Sequence, residues 1–410
     1  MAISRRNWLG ATAALAPLLG APFGRARAQG SAIRLGVMSD MAGPFQDLSG
    51  PGSIAAVRMA VQEIAGGDLR VEVVTADHQN RPDIATNIAR QWFDRDGVDV
   101  IIDVPGSAAG LAVSSIAQEK NKVFLASSAG TAELTGARCS PNTVQWTYDT
   151  YMLANATGAA TVRTGGDSWF FLVADYAFGH SLEAETSRFV QSAGGRVLGS
   201  ARFPFPGTTD FSSFLLRAQA SRAKVVGLAA GGSDLINMVK QAAEFGLARR
   251  GTRMCSLMMF ITEVHALGLP SAQGLICAET FYWDLNDRTR AFTERFRAAS
   301  RLGAPTMIHA GCYSGVVHYL KAARDMGVAA IRASGAEAVA RMKAMPTDDD
   351  CFGAGTLRAD GRKLHPAYLF EVKAPGESRG AWDYYKVLQT LSGEQAFRPL
   401  AEGGCRLIRS

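Results

Sequence analysis

From Ile33 onward, short apolar runs alternate with longer amphipathic stretches, a beat that admits little besides a parallel sheet with helices on both faces. Residues 33–38, 71–76, 100–103 and 123–126 predict strands, separated by helices at 51–64, 82–96 and 111–120. The Gly- and Ser-rich stretch 127–135 then reads as a loop. After Trp146 and Tyr148 the beat restarts: helices at 150–163, 180–193, 211–220 and 235–245 alternate with strands at 168–174, 196–201, 225–228, 252–257 and 274–278. The fold class is therefore α/β, with two doubly wound, Rossmann-like lobes.

Two helices follow, 290–301 and 308–326, whose apolar stripes suit packing on a sheet that already exists. Beyond Met345 the pattern changes to short strands around the turn Asp360-Gly361-Arg362, ending in 368–372 and 384–388. The chain is expected to cross between lobes three times, near 146, 281 and 348. This divides it into residues 31–145 plus 282–347 for the first lobe, 146–281 plus 348–400 for the second, and a C-terminal tail at 401–410. Three crossings make a hinge, with a cleft at the carboxyl ends of both sheets.

The first 28 residues read as an export signal. Met1 to Arg6 is basic, Trp8 to Gly20 is apolar but broken by Gly and Pro, and small residues at Ala26 and Ala28 place the cut before Gln29. Within it, Ser4-Arg5-Arg6-Asn7-Trp8-Leu9 is similar to the twin-arginine signal, an ordinary secretion signal being the alternative. The mature product is expected to be periplasmic. Removing these residues deletes four arginines and no acid, so the formal charge falls from +6 to 39 − 37 = +2. The basic pI then implies no nucleic-acid partner.

The six cysteines lack the close pairing of a zinc site. Cys255, Cys277 and Cys312 fall in apolar surroundings and read as buried thiols, whereas Cys139 and Cys405 lie in polar, loop-like surroundings that suit a disulfide after export. The histidines show no ligand spacing, and His78, beside Asp77 and Asn80, reads as solvated. No metal and no cofactor are expected. Gly50-Pro51-Gly52-Ser53 imitates a dinucleotide fingerprint, but a loop separates it from the first strand and a proline divides its glycines. Gly311-Cys312-Tyr313-Ser314-Gly315 puts its serine one place late for a nucleophile elbow. An enzyme is not expected.

In this order and spacing, several segments resemble the type I periplasmic solute-binding proteins of the leucine/isoleucine/valine group, which feed ABC transporters. They are the opening Ile33-Arg34-Leu35-Gly36-Val37 with Gly43-Pro44-Phe45, then Ser127-Ser128-Ala129-Gly130-Thr131-Ala132-Glu133-Leu134-Thr135, and Asp175-Tyr176-Ala177-Phe178-Gly179. Phe281-Tyr282-Trp283-Asp284-Leu285-Asn286-Asp287, and Tyr368-Leu369-Phe370-Glu371-Val372 before Trp382-Asp383-Tyr384-Tyr385, are similar to a branch associated with aromatic carboxylates.

The resemblance implies a soluble, monomeric protein that captures a small molecule by lobe closure and delivers it to a permease in the inner membrane. It implies a carboxylate anchor at Ser107, Ser128 and Gly130, with Phe45, Ala129 and Thr131 on the same wall. A loop leading into a helix points several N–H donors at an anion, which suits that role, although a Ser at 107 would also serve as a helix cap. The facing wall offers Tyr176, Phe178, Ser233, Met258, Met259, Phe260 and Phe281, and rings and thioethers suit an apolar ligand body. The ammonium-binding acid of the amino-acid binders would fall within 256–260, where there is none. A buried ammonium without a carboxylate is costly, so an aromatic or other non-amino acid is favoured over an amino acid. The alternatives are a branched-chain or other amino-acid binder, a ligand-sensing partner of a receptor and, remotest, an exported oxidoreductase.

Overall fold

The computed structural model describes residues 32–248 and 251–408, so the expected export signal lies outside the described residues. Five parallel strands form the first sheet in the order β2-β1-β3-β4-β5. They are β1 (Ile33–Ser39), β2 (Val71–Asp77), β3 (Val100–Asp103), β4 (Val123–Ala126) and β5 (Thr143–Gln145). β3 and β4 are buried along their whole length, as central strands covered on both faces must be. Helices Gly50–Ile64, Asp287–Ser300 and Met307–Met326 cover one face, and Pro82–Asp94 with Ser107–Glu119 covers the other.

The second sheet has seven strands. β6 (Ser168–Ala174), β7 (Arg196–Phe203), β8 (Val225–Ala229), β9 (Arg253–Ser256) and β10 (Ile276–Glu279) are parallel. β11 (Thr356–Leu357) and β12 (Lys363–Leu364) form a separate hairpin. β13 (Ala367–Val372) then joins the second sheet antiparallel to β10, and β14 (Tyr385–Leu391) closes that edge. The two lobes stand as the strand–helix beat implies.

Several elements depart from the sequence reading. β5 is three residues long, too short for alternation to show. Helices Ile261–Leu267, Leu269–Ala272, Val328–Ala333 and Gly335–Ala344 fill stretches that carried no clear period. The helix expected over 150–163 opens into a π-helical turn at Asn155–Ala159. There the hydroxyls of Thr157 and Thr161 bond back to the carbonyls four residues earlier, a competition that loosens a helix. The β11–β12 hairpin lies against β5, with Gln145 bridging Arg362, so the chain returns to the second sheet only beyond Leu364.

The crossings are knit together by buried polar contacts. Arg362 is fully buried, pairs with Asp149 at 3.1 Å, donates to the Gln145 carbonyl and lies 4.4 Å from the Phe397 ring centre. His365 bonds to the Trp146 carbonyl at 2.9 Å and stacks on Phe352. Cys139 and Cys405 form a disulfide between residues 266 apart in sequence, fastening the tail beyond β14 to the loop after β4. Cys255, Cys277, Cys312 and Cys351 are buried free thiols. His78 is also fully buried rather than solvated: its backbone N–H bonds to the Ser39 carbonyl at 3.0 Å, and both ring nitrogens are buried without a hydrogen-bond partner.

Candidate functional site: a cavity between the lobes

β3 ends in a turn of uncommon backbone. Asp103 and Val104 have φ of 82° and 59°, and Gly106 has 92°. A β-branched residue in this left-handed region stores about 1–3 kcal/mol of strain. The turn swings Pro105, Gly106 and Ser107 into a narrow cavity of about 20 Å³ between the lobes. Room of that size holds about one water, so the lobes stand closed on each other and a ligand would need them to part. Gly106, not Ser107, is the N-cap, and Ser107 is the first helical residue. Its Oγ is buried without a hydrogen-bond partner, beside the unpaired N–H groups of the first helical turn. Unpaired N–H groups at a helix N-terminus favour negative charge.

The loop after β4 supplies Ser128 and Gly130. Ser128 donates its hydroxyl to the buried Asp103 carboxylate, so toward the cavity it presents lone pairs and backbone. Tyr148 lines the cavity and donates to the Ser128 carbonyl at 2.8 Å. Gly130 has a steric reason: a Cβ there would sit 2.6 Å from the Phe178 ring and 2.8 Å from the Tyr148 ring. The rings occupy the space a larger residue would need.

Aromatic groups close the cavity from both sides. Phe45, from the loop after β1, lies 6.0 Å from Phe205, which stacks on Tyr176 at 4.3 Å. Tyr176 is followed by Phe178 at 6.0 Å, and Leu48 and Met258 complete the apolar lining. The lobes touch at Gly232, where a Cβ would be 2.3 Å from the Pro44 carbonyl oxygen.

Of the residues singled out from sequence, Phe45, Ser107, Ser128, Gly130, Tyr176 and Phe178 meet at this cavity. Others stand outside its lining. Ala129 is buried against the Ser107–Glu119 helix, with its carbonyl on Gln145. The Thr131 hydroxyl caps the short helix Ala132–Thr135. Ser233 lines a neighbouring interlobe cavity with Pro44 and Glu263. Met259 is buried in the second lobe's core, and Phe281 packs edge-on against Phe292 and Phe352 at a crossing. Leu48 and Tyr148 enter the lining in their place, with Pro105 and Gly106, and of the two adjacent methionines Met258 lines it rather than Met259.

The acid nearest the second wall is Glu263, just beyond 256–260. Its oxygens accept the N–H groups of Phe260 and Gly232, and burial pushes its carboxyl up to about 8. It caps its own helix and pins the Gly232 loop. The cavity lining itself contains no acid. Among the described residues, no group of acids, histidines and cysteines could hold a metal ion.

A family model described as periplasmic binding protein matches residues 32–380. No curated protein matches the chain. Among solved structures, a periplasmic binding protein from Burkholderia mallei is 42% identical, with 92% of this chain and 99% of that one covered and a TM-score of 0.87. A branched chain amino acid ABC transporter periplasmic ligand-binding protein from Burkholderia xenovorans is 37% identical over the same shares, with a TM-score of 0.82. An ABC transporter solute-binding protein from R. palustris in complex with benzoate is 21% identical, over 88% of this chain and 97% of that one, with a TM-score of 0.78. At that identity the likeness carries the fold alone.

Proposed function

Because the chain belongs to the periplasmic binding protein family, we propose that it captures a small carboxylate with an apolar body and presents it to the membrane permease of an ABC transporter. The observation that carries this reading is the buried, unpartnered Ser107 Oγ at a helix N-terminus, facing an aromatic wall across the cleft. The first lobe takes the carboxylate through Ser107 and the backbone around Ser128 and Gly130. The second lobe folds Tyr176, Phe178 and Met258 over the body. Only a ligand held by both walls can favour the closed state. We place the third crossing at 364–367, where the hairpin beside β5 gives way to β13, rather than near 348. We assign residues 1–28 as the export signal.

Among ligand classes we take a branched-chain amino acid first, ahead of the aromatic acid favoured by the sequence reading. The relative at 37% identity carries that name, whereas the aromatic-acid binders stand at 19–21%. Its ammonium would rest on the faces of Tyr148, Tyr176 and Phe178 and on backbone carbonyls. An acid without an amine is the second reading, favoured by the absence of a carboxylate from the cavity lining. Thermal unfolding of the mature protein with L-leucine, L-isoleucine, L-valine, benzoate and 4-hydroxybenzoate tests both. Ligand at a thousandfold over Kd stabilises by about 4 kcal/mol, a shift of several degrees. A response to amino acids alone supports the first reading and a response to aromatic acids alone the second. No response to any carboxylate overturns both.

A further inference from the structure

Beneath the ligand loop lies a buried acid that the capture mechanism does not use. Asp103 is fully buried at the end of β3. One oxygen accepts the Ser128 hydroxyl and the other accepts the Ser39 hydroxyl at 2.7 Å, while Ser39 Oγ in turn accepts the Gly50 N–H at 2.9 Å. The acid thus joins the loops after β1 and β4 on which the first wall is built. We propose that Asp103 is a positioning residue that couples ligand capture to a proton, its carboxylate taking one up from solvent when a ligand carboxylate settles on Ser107 and Ser128.

The inference rests on the carboxylate reading above, and its physical basis is like-charge repulsion. Ser128, which the ligand's anionic end would meet, holds its hydroxyl on the buried Asp103, so two negative charges would share one dry site. The groups facing Asp103 are Ser39 on β1, Asp40 just beyond it, Ser53 on the Gly50–Ile64 helix, Ser128, and Cys312 on the Met307–Met326 helix. Tyr148 also feels its charge. None of these is a cation, so no charged side chain facing Asp103 offsets the added charge. Burial already holds the Asp103 carboxyl at about 7, poised to change state near neutral pH.

The test is titration calorimetry of the wild type with L-leucine and with benzoate, in phosphate and in Tris, two buffers of unlike ionisation enthalpy. Benzoate has no titrating group of its own near neutral pH. The expected result is a binding heat that differs between buffers and an affinity that falls about threefold to tenfold from about pH 6.5 to about pH 8.5. Asp103→Asn, which still accepts from a hydroxyl but cannot titrate, should lose both the pH slope and the buffer difference. The wild-type comparison stands alone if that variant does not fold. Binding with equal heats in both buffers and a flat pH profile overturns this inference and leaves carboxylate capture intact. Binding of neither probe overturns both.

Discussion

At the residue scale the site depends on a few atoms whose environment is unusual for their type. Ser107 Oγ makes no hydrogen bond within the protein, so Ser107→Ala removes nothing from the fold while taking a donor from the ligand. A hydrogen bond to a charged group contributes about 1.5–3 kcal/mol, which predicts affinity at least about tenfold weaker. The unfolding free energy should move by no more than about 0.5 kcal/mol. Calorimetry beside urea unfolding checks both halves, and unchanged affinity would remove Ser107 from the anchor. Ser107, Ser128 and Gly130, which line the cavity, were picked out by the family resemblance, with their place in loops at strand ends as support. Which of two adjacent thioethers lines the cavity was not. Met258 and Met259 are neighbours in the loop between β9 and the Ile261–Leu267 helix, one lining the cavity and the other buried in the second lobe's core, and no sequence period sets which is which. Tyr148 carried no signal either, since it reaches the site from a crossing rather than from a repeating element.

At the element scale, strand and helix periods recovered the framework, and short or polar elements escaped it. Thr143–Gln145 is too brief to alternate, and Gly335–Ala344 gains its place by packing on the Met307–Met326 helix and the end of β4. The long Met307–Met326 helix was expected to dock on the first sheet, and it packs on the Gly50–Ile64 helix there. His309 fixes that docking: its Nδ1 accepts the Thr306 N–H, and its Nε2 donates to the Ser49 carbonyl at 3.0 Å. Both bonds require a neutral ring, and burial holds its pKa down to about 4. The unfolded chain binds this proton near pH 6.5, whereas the folded chain resists it until about pH 4. Stability from His309 is therefore complete above that window and lost as pH falls through it, by about 3 kcal/mol. Urea midpoints measured down the window should show the decline, with a shallower slope in His309→Gln. Equal slopes would mean that other groups govern the acid limb.

At the scale of the whole molecule, contacts between residues far apart in sequence hold the chain together: Arg362 pairs with Asp149, and Cys139 is bridged to Cys405. A disulfide closing so long a loop acts mainly on the unfolded chain, so Cys405→Ser should lower unfolding stability by about 2–5 kcal/mol. Denaturant unfolding of the variant beside the oxidised wild type measures it, and equal midpoints would show that the bridge contributes little. What the sequence determined by itself was the class of fold: alternating periods of two and 3.6 residues leave hydrophobic faces that only sheets and covering helices can bury together. What only the tertiary structure decided was the site. Which of two adjacent methionines faces the cleft, which serine keeps a free hydroxyl and which carboxylate lies beneath it all depend on residues far apart in sequence meeting at a few ångströms. No local pattern encodes such meetings, because they arise from the packing of whole lobes against each other.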